Sequence, residues 1–115
     1  MNNIKNTSKF DDVIKRLDDT LKKLKEAFSQ IPSDKVDLQL INYELDNIKQ
    51  NAKCHNFMSM CNCVGFINGY VNCLLSTDVI NTALFSSLFD IIITVSTYSF
   101  ELKVVCEEDY INAGN

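Results

Sequence analysis

The stretch "FDDVIKRLDDTLKKLKEAFSQI", residues 10–31, repeats an apolar side chain every three or four positions. The repeating positions are Phe10, Ile14, Leu17, Leu21, Leu24, Phe28 and Ile31. Spacings that alternate between four and three are typical of an α-helix that packs along one side. We expect Ser8 to cap the start of this helix, and Pro32, the only proline of the chain, to end it.

Two later stretches carry the same spacing. The second consists of Leu38, Ile41, Leu45, Ile48 and Ala52, and the last of Leu84, Leu88, Ile91, Val95, Tyr98, Leu102 and Val105. We expect Ser33 or Asp34 to cap the second helix and residues 76–78 to cap the last. The β-branched run at residues 91–98 is also compatible with a strand, but seven positions on one seam favour a helix. The sequence therefore predicts an all-α fold, an antiparallel bundle of three to four helices.

The length of 115 residues suits a single domain, residues 1–115, in which residues 1–7 and 109–115 are expected to fray. The last helix also carries apolar side chains off its seam. They are Phe85, Phe89, Ile92 and Ile93. A helix that is apolar on more than one side lies either at the centre of a bundle or on one face of a dimer.

The charge pattern excludes some classes of partner. The net charge is −4, Arg16 is the only arginine, and the lysines of the first helix alternate with acidic residues, which disfavours nucleic acid. The first 30 residues are polar and resemble no signal peptide, so we expect a cytosolic protein, in its own or a host's cytosol. Residues 83–100 are long enough to span a membrane, but Asp90 and six serines and threonines disfavour that interpretation.

The five cysteines are an odd number and do not form a secreted disulfide framework. Cys54, His55, Cys61 and Cys63 offer metal ligands, but their spacing is not that of a zinc knuckle. On a helix, Cys61 and Cys63 would point about 200° apart. We therefore predict reduced thiols, with no structural metal and no cofactor.

The stretch "HNFMSMCNCVGF", residues 55–66, contains the single histidine of the chain. His55, Phe57, Ser59 and Gly65 resemble the motif of histidine-phosphotransfer domains, in which an apolar residue, a small residue and a glycine follow the histidine. The resemblance implies a four-helix bundle with His55 as the phosphoacceptor and Ser59 beside it on an exposed helix face. Met58 and Ser59 replace the lysine and the glycine of that motif, so its positive charge is missing. We expect one helix to run through residues 55–64 and to stop near Gly65.

The sequence favours a small, acidic, non-enzymatic protein that binds another protein, such as an inhibitor, an immunity protein or a phage or viral accessory factor. It has no glycine-rich phosphate loop and no carboxylate pair on apolar ground. The first alternative is a phosphotransfer domain, in working or degenerate form, that uses His55. The second is a homodimer with a structural role.

Overall fold

A computed structural model describes the backbone of residues 2–114 and the side chains of residues 9–111. The chain forms four helices and no strand within that backbone, which confirms the predicted all-α bundle. The helices are α1 (Asn2–Phe28), α2 (Leu38–Lys53), α3 (Phe57–Ser76) and α4 (Thr82–Gly114). Each packs antiparallel to its neighbour in the chain, and α4 closes the ring by packing on α1.

The predicted seams supply most of the core. In α1 and α2 most of the predicted seam is buried, including Leu17, Leu24, Phe28, Ile41 and Ile48. The seam residues Phe10, Ile14 and Leu38 are only half-buried, and Val13, Thr20 and Ala27 are buried beside the α1 seam. In α4 the fully buried line is displaced from the predicted seam. It consists of Leu88, Ile92, Val95, Ser99 and Leu102, while Leu84, Ile91, Tyr98 and Val105 are half-buried. The displacement arises because α4 packs against both α1 and α3, so its most buried line points between these two helices.

Polar contacts along α1 fix its position against both neighbours. Arg16 donates to Glu101 at 3.0 Å, and its guanidinium lies 5.6 Å from the centre of the Tyr98 ring. On the other side, Lys49 of α2 lies 2.8 Å from Asp18. These contacts set the register of α1 between α2 and α4.

The predicted helix starts need three corrections. Helix α1 already begins at Asn2, so Ser8 lies inside the helix, and its side chain is outside the described residues. Helix α2 is capped by Asp37, whose side chain accepts from the Leu40 N–H at 3.0 Å, because a turn at residues 32–36 precedes it. Helix α4 begins after Asn81, whose side chain accepts from the Leu84 N–H at 2.9 Å. Ser33, Asp34 and residues 76–78 therefore cap neither helix start.

Residues 76–78 instead end α3. The N–H of Val79 bonds the carbonyl of Leu74 at 2.9 Å, and that of Asp78 bonds Leu75 at 3.1 Å, which is the Schellman pattern of a helix end. Asp78 takes the left-handed position of this turn, with φ 61°.

The predicted helix stop at Gly65 is also wrong. Helix α3 runs through Gly65 and Gly69 as a full third helix of 20 residues. Its buried stripe is Met60, Val64, Ile67, Val71 and Leu74. The packing of this stripe holds the helix together in spite of the two glycines.

The four helices differ in length. With 27 and 33 residues, α1 and α4 are longer than α2 and α3, which have 16 and 20. The extra turns of α1 and α4 extend beyond the α2–α3 connection. Fraying of residues 1–7 and 109–115 stays a prediction, since the side chains of residues 1–8 and 112–115 lie outside the described part.

One described helix segment, Thr82–Ile111 of α4, is long and apolar enough to cross a membrane by length and composition, with a mean hydropathy of 1.4 in its most apolar window. In the bundle, its inner residues Leu88, Val95 and Leu102 pack in the core.

Candidate functional site

His55 lies in the turn between α2 and α3, and the predicted helix through residues 55–64 is therefore wrong at its start. The N–H of His55 bonds the carbonyl of Ala52 at 3.2 Å, and that of Asn56 bonds Asn51 at 2.8 Å. His55 itself has φ 61°, the left-handed conformation that this helix ending requires at that position. Its side chain is exposed and lies at a corner of the bundle.

Ser59 does not share a helix face with His55. Asn56 caps α3, and its side chain accepts from the Ser59 N–H at 3.3 Å. Ser59 therefore lies in the first turn of α3, whereas His55 precedes the helix. The phosphotransfer alternative stays a prediction, and it now concerns a histidine in a turn.

The cysteines near His55 in sequence point to different neighbours. The Cys61 thiol lies 3.6 Å from the Ser99 hydroxyl of α4, while Cys63 lies 4.0 Å from the Asn51 amide of α2. Within the described residues, no three His, Cys, Asp or Glu side chains converge as a metal site would require. The absence of metal stays a prediction.

A fourth cysteine, distant in sequence, lies beside His55. The Cys106 sulfur is 3.7 Å from His55 Nδ1. On either side of the imidazole are aromatic rings: the Phe10 ring centre is 4.8 Å away and the Phe57 ring centre is 6.0 Å away in a stacked arrangement. The exposed histidine is thus held by residues of α1, α3 and α4.

These residues border a groove of about 400 Å³, which we call the end groove. The end groove is lined by His55, Phe57, Lys103, Cys106, Glu107, Tyr110 and Ile111. Most of this lining is apolar, and its polar groups are the imidazole, the Lys103 ammonium, the Glu107 carboxylate, the Tyr110 hydroxyl and the Cys106 thiol. The volume falls within the usual range for pockets that hold a small ligand or an anchoring side chain.

The electrostatics of the end groove disfavour thiol chemistry. Burial raises the pKa of the Cys106 thiol, and the nearby Asp109 carboxylate raises that pKa further. A thiol with a raised pKa is protonated at neutral pH and is a poor nucleophile. The arrangement therefore fits binding of an apolar group better than covalent catalysis.

Sequence reasoning singled out His55 but missed its neighbours in the groove. Cys106, Tyr110 and Ile111 belong to the acidic C-terminal stretch, of which residues 109–115 are expected to fray, and Lys103 lies just before that stretch. The available signal was the pair of large apolar side chains in this stretch, Tyr110 and Ile111, which are 82% and 61% exposed.

Comparison of the chain with protein-family models, with curated proteins and with solved structures finds no match.

Proposed function

We propose that this chain is a non-enzymatic regulatory protein that binds an apolar segment of another protein in the end groove. One observation carries the proposal: a mostly apolar concavity of about 400 Å³ with the exposed side chains of Tyr110 and Ile111 at its edge. Exposed apolar groups around a concavity are typical of surfaces that bind a partner. An inhibitor, an immunity protein or an accessory factor in a cytosol would use such a surface.

The side chains that line the end groove indicate what kind of segment it would bind. Phe57, Tyr110 and Ile111 would contact one or two apolar side chains, since buried aromatic anchors supply most of the free energy in such interfaces. Lys103 and Glu107 carry opposite charges in the same groove. They would orient a segment that has a charged or polar group beside its apolar anchor.

The groove is well suited to binding because its floor is fixed before a partner arrives. The imidazole of His55 packs between Phe10 and Phe57, and the turn that carries it is held by two backbone hydrogen bonds. A pre-formed surface loses little conformational entropy when it binds.

The test is affinity purification with cross-linking from cells that contain the protein's natural partners. Tyr110→Asp should abolish capture of a specific protein, whereas the matched Tyr43→Asp, on exposed α2 surface, should retain it. Both tyrosines are exposed, so neither change should disturb the fold, and circular dichroism checks this. A set of captured proteins that is the same for both variants would contradict the proposal.

Phosphotransfer at His55 is the alternative, and two observations favour it. The chain is a four-helix bundle with an exposed imidazole, and Lys103 in the same groove offers a positive charge that Met58 does not. We nevertheless expect no phosphorylation, because the Glu107 carboxylate also lines the groove and would repel a phosphoryl group. The test is incubation with acetyl phosphate. If the wild type gains an acid-labile phosphate that His55→Gln does not, phosphotransfer replaces partner binding as the proposed function.

A further inference from the structure

A second apolar surface lies on α4, apart from the end groove. It consists of Phe89, Ile93, Thr97, Phe100 and Val104, which we call the α4 strip. Phe100 is 70% exposed, Val104 51% and Ile93 46%. These residues lie on the side of α4 that turns away from its buried line. Only 22% of the most apolar window of α4 is buried in the bundle.

The polar groups along the α4 strip are already hydrogen-bonded inside the helix. The Thr97 hydroxyl donates to the Thr94 carbonyl at 2.7 Å, and the Thr94 hydroxyl donates to the Asp90 carbonyl at 3.0 Å. Covering these side chains would therefore leave neither hydroxyl without a partner, which removes the usual penalty for burying polar groups. The strip can lose its water without a large loss of hydrogen bonding.

The strip is symmetric about its own midpoint, between Ser96 and Thr97. Ile93 and Phe100 lie at equal distances on either side of this point, and so do Phe89 and Val104. If a second α4 packs antiparallel on the first, Ile93 of each copy faces Phe100 of the other. The pairing is then the same in both directions, as a two-fold interface requires. The small Ser96 and Thr97 lie at the centre, where two helices must approach most closely.

We propose that the α4 strip binds a second copy of this chain and forms an antiparallel α4–α4 dimer. A fully exposed aromatic side chain presents roughly 150–250 Å². From the exposed fractions of Phe100, Val104 and Ile93, the two strips together would bury roughly 600 Å² of side-chain surface, which places the dimer among the small, weak interfaces below about 1,200 Å². The dimer is independent of the end groove, which remains open on each copy.

Sedimentation equilibrium tests the dimer. We expect the wild type to dimerise at concentrations of about 100 μM or below, an affinity between the micromolar and millimolar values of weak complexes. Phe100→Asp should weaken the dimer at least about 30-fold, the effect of removing a central anchor. Tyr43→Asp and Tyr110→Asp should leave it unchanged. A wild type that is monomeric at about 100 μM, or a dimer that tolerates Phe100→Asp, would overturn the dimer and leave the end-groove proposal standing.

Cysteine cross-linking tests the antiparallel geometry. The exposed Cys54, Cys61 and Cys73 are first replaced by serine. In that background, a mixture of Ile93→Cys and Phe100→Cys chains should form disulfide-linked pairs between the two variants on oxidation. Neither variant alone should link to itself.

Three outcomes would overturn the arrangement. Self-linked Ile93→Cys chains would indicate parallel helices, and no linkage in the mixture would place the interface elsewhere. A wild-type monomer that co-sediments with phosphatidylcholine vesicles, with this binding lost in Phe100→Asp, would assign the strip to a membrane surface instead.

Discussion

Replacing Gly65 and Gly69 by alanine should stabilise the protein, although glycines in these positions resemble a helix stop in the sequence. Both lie inside α3, and a Cβ added to either would have no neighbouring atom within 4 Å. Neither has a positive φ, so alanine fits the backbone without strain. The substitutions therefore change helix propensity and nothing else.

The magnitude follows from the difference between glycine and alanine in a helix interior, about 0.8–1.0 kcal/mol per position. Each substitution should raise the free energy of unfolding by about that amount. The two together should give about 1.6–2.0 kcal/mol, because the new methyl groups face open space and do not compete for a contact. In a domain of this size, such a gain raises Tm by roughly 5–10 °C.

Urea unfolding followed by far-ultraviolet circular dichroism measures the gain, and Gly65→Pro serves as the opposing variant. Proline in a helix interior costs about 3 kcal/mol or more, whereas proline just beyond a helix end is tolerated. A stable Gly65→Pro variant, or alanine variants without any gain, would show that α3 is interrupted at Gly65 and refute the reasoning.

Three further predictions concern the core, a turn and a surface carboxylate. Leu88→Ala removes a fully buried side chain and should lower the free energy of unfolding in urea by about 2.7–5 kcal/mol. Ile91→Ala should lower it by less, because Ile91 is half-buried. Equal losses would mean that the two positions are packed alike. Asp78 has a left-handed backbone conformation that glycine adopts without strain, so Asp78→Gly should raise the free energy of unfolding by about 0.5–1 kcal/mol. A lower Tm for this variant would show that the backbone of Asp78 is not strained. The hydrogen bond from Lys49 lowers the pKa of Asp18 below its ordinary value of 3.8. The ionised Asp18 carboxylate therefore stabilises the fold fully above that pH, and this stabilisation is lost as the pH falls through the pKa of Asp18 in the folded state. Urea unfolding of Asp18→Asn should thus differ from wild type at neutral pH and match it in strong acid; a difference that does not vary with pH would disprove the linkage.

The first helix was predictable because nothing interrupts its pattern. Its seam runs unbroken from Phe10 to Phe28, where α1 ends, although the helix was expected to continue to Pro32 and Ile31 lies in the turn that follows. The break between α2 and α3 was not, because His55 continues the seam of α2 at the expected spacing from Ala52. A helix ending of this kind usually has glycine at the left-handed position, and here histidine takes that place. The useful signal was Asn56, a good cap residue directly after it.

The third helix could have been predicted from its own apolar spacing. Met60, Val64, Ile67, Val71 and Leu74 repeat at four and three residues, but the two glycines between them dominated the interpretation. The end groove could not have been predicted. It depends on how far α4 extends past the turn at His55, and relative helix length is a property of the assembled bundle. The sequence therefore identified two groove residues, His55 and Phe57, and none of those that α4 contributes.

The closure of the bundle by α1 and α4 has a consequence for the order of folding. The Arg16–Glu101 contact joins residues 85 apart, whereas the Asn51–Cys63 contact between α2 and α3 spans only 12. Loop-closure entropy makes the longer connection costlier by about 1.7 kcal/mol, so contacts between helices that are neighbours in the chain are expected to form before the α1–α4 contact closes the bundle. Changes in side chains packed between α1 and α4 should then mainly speed unfolding, while changes in the α2–α3 hairpin should slow folding. The contact that forms last is also the one that breaks first, which makes the boundary between α1 and α4 the natural place for the bundle to open.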